Sequence, residues 1–241
     1  MVGSMKEKWQ KFKNYLKKDK RIFAKGICFE KLFAVFIIGS VIGSFYEEIL
    51  NFFLVYSRTG QFVWEYRRGV IYGPFNIIYG LGAVIMVVLL ADKKHKWYET
   101  ILYGALLGGG IEYLISFLQE TFTHTTSWDY SNKFLDINGR TTLPFMLVWG
   151  IFSFLFVRYL YPFVSRQIEK IPYNLGKILT RILVIFMVIN MTISWSAIIR
   201  QTLRKNNVPP LTPVGHFLDE HYDDEFLSKY FPNMEHHSKG D

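Results

Sequence analysis

The chain is poor in the residues that build metal, redox and nucleotide chemistry. It has one cysteine, Cys28, in 241 residues. An intrachain disulfide and a cysteine-held zinc or iron–sulfur cluster are therefore excluded. Six histidines are present, but none stands in His-x-x-x-His spacing. A site drawn from Glu120, His124 and Asp129 has no ligand spacing behind it, so no metal is assigned. No cofactor motif is found. The absence of a Walker A pattern excludes nucleotide hydrolysis by the P-loop route. Ser131 lacks the G-x-S-x-G setting of an exposed nucleophile. No small-residue cleavage site follows the first apolar run, so no removable signal peptide is expected. Charged residues make up only 20% of the chain, and they are nearly missing from several runs of about 20 residues, the length that crosses a bilayer.

What is present is apolar and aromatic: 50% hydrophobic and 18% aromatic residues. The expected fold is all-α, a polytopic transmembrane bundle of about five spans. The spans are placed at Leu32–Tyr56, Phe75–Ala91, Glu99–Phe122, Leu143–Tyr161 and Ile178–Ile199, with Pro162 stopping the fourth. Residues 1–30 form a basic cytoplasmic segment. Trp9, Phe12 and Leu16 share one helical face there, which suits either an interfacial helix or a solvated basic tail that fixes topology. Residues 31–162 form a four-helix core. Residues 163–199 are a polar connector and the fifth span, and 200–241 a polar, acidic, lightly structured tail. The formal charge of +8 sits mostly in the first 31 residues and in short loops, as the positive-inside rule requires. Nucleic acid is therefore not the expected partner. The N-terminus is placed in the cytoplasm, and the loops 57–72 and 123–142 outside the cell membrane.

The core reads as a duplicated two-helix hairpin. Gly39, Gly43 and Glu47 repeat as Gly104, Gly108 and Glu112 at the same spacing. Trp64-Glu65-Tyr66 answers Trp128-Asp129-Tyr130, and Pro74-Phe75 with Tyr79-Gly80 answers Pro144-Phe145 with Trp149-Gly150. The first and third helices are expected to meet through their glycines.

Glu47 and Glu112 stand inside apolar helices, where an ionised carboxylate costs at least about 2.5–3.5 kcal/mol. Each must face water or protein, be paired, or carry a proton. Two readings stand. In one, the carboxylates share a functional cavity. In the other, each clamps a loop arginine, Arg68 or Arg140. Trp128, Asp129, Tyr130 and Arg140 cluster in one loop, with Arg140 able to fork onto Asp129.

These residues together resemble the ABC-transporter permease family of the CmpB type, which also includes the eukaryotic transmembrane protein 229 group. The resemblance runs from Gly39 to Pro162. It is carried by Arg68-Gly69, Gly73-Pro74, Tyr79-Gly80, Glu112-Tyr113, Trp128-Asp129-Tyr130-Ser131, Gly139-Arg140 and Trp149-Gly150. The chain departs from the pattern at Asn76-Ile77-Ile78-Tyr79, where Pro-Ile-Tyr is expected, which bears on how the second helix starts. The resemblance implies a transport permease working with a separate ATPase subunit. The expected function is a permease-like subunit that binds a polar or amphipathic substrate between the hairpins, near Glu47 and Glu112. The alternatives are a membrane-embedded enzyme acting on a lipid headgroup, with Glu112 or Asp129 as base and Arg140 on phosphate, and a membrane assembly partner without turnover. The balance leans away from an enzyme. Membrane lipids and a second copy of the chain complete the expected partners.

Overall fold

A computed structural model describes residues 6–7, 9–11, 13–15, 21–91, 95–232 and 234–236. Among the described residues, five apolar helices carry the chain: α1 (Phe29–Thr59), α2 (Ile77–Ala91), α3 (Trp97–Thr123), α4 (Leu143–Glu169) and α5 (Tyr173–Lys205). All but α2 are long and apolar enough to cross a membrane. Fifteen residues make α2 only about 22 Å long. Apolar side chains such as Ile182, Ile185 and Val188 of α5 point outward, each about 60% exposed. That suits a lipid surround and would not suit water.

Local chemistry sets the helix ends. Gly60 closes α1 in the left-handed conformation at φ 69°, its N–H reaching the Tyr56 carbonyl. Asn76 begins α2 by accepting from the Ile78 N–H at 3.3 Å. The helix thus starts at Ile77, within the stretch that departs from the family pattern. Thr142 caps α4 in the same way, accepting from the Phe145 N–H.

Pro162 does not stop the fourth helix, which continues to Glu169. The reason lies one turn earlier. Phe156–Leu160 is a π turn, in which the Tyr161 N–H reaches back to the Phe156 carbonyl. The widened turn accommodates the proline ring and its missing N–H. A matching π turn at Val87–Ala91 ends α2. The two turns lie against one another in a core that includes Met86, Val87, Phe156 and Ile168. Phe23 joins that core, and a Cβ on Gly176 of α5 would collide with its ring.

The glycine stripes serve a different contact from the one expected. They do not join α1 to α3. Each packs its helix against the next one in sequence. A side chain at Gly43 would overlap Tyr79 of α2, and one at Gly108 would overlap Trp149 of α4. Gly80 lies on the Phe36 carbonyl, and Gly150 on the Ile101 carbonyl. A short hairpin needs its two helices close for their whole length, and small residues permit that approach.

At the N-terminal end, the Lys31 Nζ, itself fully buried, meets Glu169 at 2.7 Å. Ile22 forms an isolated bridge with Pro172. Of the expected interfacial helix, Phe12 and Leu16 lie outside the described residues, and Trp9 is 57% exposed.

At the opposite end the expected light structure of the tail gives way to order. Helices α6 (Pro213–His221) and α7 (Asp224–Tyr230) pack Leu218, Tyr222 and Leu227 against Ile71, Ala197 and Ile198. Tyr222 lies between the two helices, and Asp223 starts the second by accepting from the Phe226 N–H. The tail's acidic residues meet α5. Arg200 forks onto Asp219 with two bonds of 2.8 Å, and Arg204 meets Asp224 at 2.6 Å. Thr125–Thr126 (β1) pairs with Glu235–His236 (β4), and Asp136–Ile137 (β2) with Thr141–Thr142 (β3).

Candidate functional site

A cavity of about 180 Å³ lies between the two hairpins. One wall is α1, with Gly39, Gly43 and Glu47. The other is α4, with Phe145, Trp149 and Phe152. Tyr79 of α2 stands behind, and Glu112 of α3 and Tyr130 of the loop close one end. The helices produce this gap for a simple reason. The glycines hold α1 on α2 and α3 on α4, so the space is left where one hairpin meets the other.

Both carboxylates reach the cavity, and hydroxyl groups hold them. The Tyr79 hydroxyl donates to Glu47 at 2.8 Å. Thr141 donates to Glu112 at 2.7 Å and Tyr130 at 3.2 Å. Burial, and then the Glu112 charge, push the Tyr130 hydroxyl far above its ordinary range, so it remains a donor. Tyr130 is set in place by stacking on Phe145 at 5.0 Å and by its N–H on the Gly139 carbonyl at 2.8 Å. Asn138 and Gly139, both at positive φ, turn β2 into β3 and so deliver Thr141 to Glu112.

The arginines go elsewhere than the clamp reading expects. Arg68 pairs with Glu48 at 3.3 Å and covers the Tyr66 ring at 3.9 Å. Glu47 is not its partner. The two glutamates are consecutive, so they point about 100° apart around α1. Glu48 turns to the loop and Glu47 to the cavity. Arg140 pairs with Glu120 of α3 and lies over the Tyr113 and Phe117 rings. Its carbonyl accepts from the Trp128 indole at 2.9 Å. Asp129 shapes the same loop by accepting from the Ser131 N–H and hydroxyl at 2.8 and 2.6 Å.

Of the residues singled out from sequence, Glu47, Glu112 and Tyr130 are brought to one cavity, whereas Arg68, Trp128, Asp129 and Arg140 order the loops above it. Sequence reasoning missed Thr141 and Tyr79 as carboxylate partners and Trp149 as a wall of the cavity. Trp149 packs on Gly108 and lines the cavity. The repeated Tyr79-Gly80 and Trp149-Gly150 pairs were the available signal.

The family described as Putative ABC-transporter type IV matches residues 34–195. The match covers both hairpins and most of α5, further than the motif resemblance that ended at Pro162. No curated protein and no solved structure matches the chain. With well over half its length inside that match and its apolar helices in the order described, the chain belongs to this ABC-transporter family and is a multi-pass, transporter-like membrane protein.

Proposed function

We propose that this protein is the membrane subunit of a transporter and holds a polar or amphipathic substrate between its two hairpins, beside Glu47 and Glu112. The observation that carries the reading is the cavity itself: it is walled by both hairpins and has the two carboxylates at one end. The family match supports a separate ATPase subunit as the energy source.

Duplication accounts for the shape. Its support is the like contacts of Gly43 and Gly108, of Gly80 and Gly150, and the paired π turns at Val87–Ala91 of α2 and Phe156–Leu160 of α4. Five passes put the N-terminus in the cytoplasm and the two aromatic loops and the tail outside. The basic residues near the N-terminus, in the turn 92–96 and in the connector 163–177 support that orientation, and α2 spans by resting within the protein rather than by length.

The test is mass spectrometry of small molecules that co-purify with the chain in mild detergent. Val148 lines the cavity and is 53% exposed, so Val148→Trp fills the gap from its open side. An amphiphile carried by the wild type should be absent from monodisperse Val148→Trp. An identical complement of bound molecules in both proteins would overturn the reading.

A further inference from the structure

The chemistry of the cavity narrows what it holds, an inference that rests on the transporter reading above. Aromatic rings follow one another down its wall: Tyr46 to Tyr79 at 6.1 Å, Tyr79 to Trp149 at 5.4 Å, Trp149 to Phe152 and Phe152 to Phe156 each at 6.2 Å. Beyond them the groove continues between Val35 and Val164 with only apolar side chains. At the other end stand Glu47 and Glu112. Their partners, Tyr79, Tyr130 and Thr141, are neutral hydroxyls. These orient the carboxylates without cancelling their charge. The guanidinium groups of Arg68 and Arg140 are engaged by Glu48 and Glu120, and that of Arg67 by Glu65. Among the described residues no lysine, arginine or histidine lines the groove.

Two carboxylates in an apolar, aromatic setting call for positive charge. A cation that enters relieves the cost of keeping them out of water. Ring faces add to its attraction. A phosphate or carboxylate head would instead meet two acceptors of its own sign. We propose that the groove takes, from the surrounding leaflet, an amphiphile whose head is an organic cation, an amine or a quaternary ammonium. The head sits between Glu47 and Glu112 and the apolar tail lies along the rings of α4.

The test uses the full chain in lipid nanodiscs with labelled decyltrimethylammonium and, as the matched anion, labelled decyl sulfonate, with uptake by empty discs subtracted. The cation should bind saturably, one per chain, and the anion should not. Glu47→Gln with Glu112→Gln should weaken cation binding at least tenfold, and Val148→Trp should remove it. Should either variant fail to insert as a monodisperse protein, Glu47→Gln alone and Ile42→Trp replace them; Ile42 lines the opposite wall. Equal binding of both probes, lost in Val148→Trp, would overturn the cationic class and leave the transporter reading intact. Saturable cation binding that ignores both tryptophan variants would remove the groove from both readings. No saturable cation binding would overturn the cationic class alone, leaving the co-purified molecules to decide the broader reading.

Discussion

Glu48 is 1% exposed, and its charge is met by the Arg68 guanidinium at 3.3 Å with the Ser44 hydroxyl alongside. Removing the arginine leaves that carboxylate uncompensated. Breaking a buried pair costs about 3–5 kcal/mol, and the partial exposure of Arg68 places this one at the lower end. Arg68→Gln should therefore lower the thermal unfolding midpoint in detergent, and Arg68→Gln with Glu48→Gln should recover part of the loss. No recovery would mean that the pair is not the cause. The glycines give a second expectation. Gly43→Val or Gly108→Val forces a branched side chain into Tyr79 or Trp149, and overpacking of this kind costs about 1–3 kcal/mol. Unchanged unfolding midpoints for both would show that the hairpins are not closed at these points. The carboxylates in the apolar runs were legible because their chemistry conflicts with their surroundings. Their partners were not, because an apolar run reveals its length but not which way each residue faces. Glu47 and Glu48 differ by one position and by their whole environment.

At the scale of elements, the long helices were legible from composition. The continuation of α4 past Pro162 was not, since a π turn has no residue signature of its own. The tail was misread for a related reason. Its acidic residues suggest a solvated segment when read alone, and they change meaning only beside Arg200 and Arg204, one turn apart on α5. Arg200 holds the Asp219 carboxyl below the usual aspartate range. A lowered folded value means that this contribution is complete above the ordinary aspartate pKa and is lost as pH falls through the lowered one. The tail should stay docked from neutral pH down to the ordinary aspartate range and release below it. A fluorophore on the exposed Ser228 reports this as a fall in anisotropy, and Asp219→Asn should produce the same fall at neutral pH. Equal anisotropy in wild type and Asp219→Asn throughout would show that the fork does not hold the tail.

At the scale of the whole molecule, the contacts divide into two ends. Tyr15, Lys31, Glu169 and Asn174 gather at one. Ile71, Thr123, Ser194 and Thr202 gather at the other. With Cys28 replaced by serine, a membrane-impermeant thiol reagent applied to intact cells should label a cysteine at Asn132 and miss one at Gln167. The opposite pattern would invert the proposed orientation. The bonds at the loop end also impose an order of events. The Ile71 and Tyr72 N–H groups are satisfied by Ser194 and Asn190, and the Tyr72 hydroxyl by Tyr222, which lies 150 residues further on. At a synthesis rate of about 5–20 residues per second, the first loop waits roughly 6–30 s for its partners to be made. During that interval it must borrow partners from headgroup water or from the insertion machinery. The first hairpin is thus born incomplete, and it is finished only by α5 and the segment that follows it.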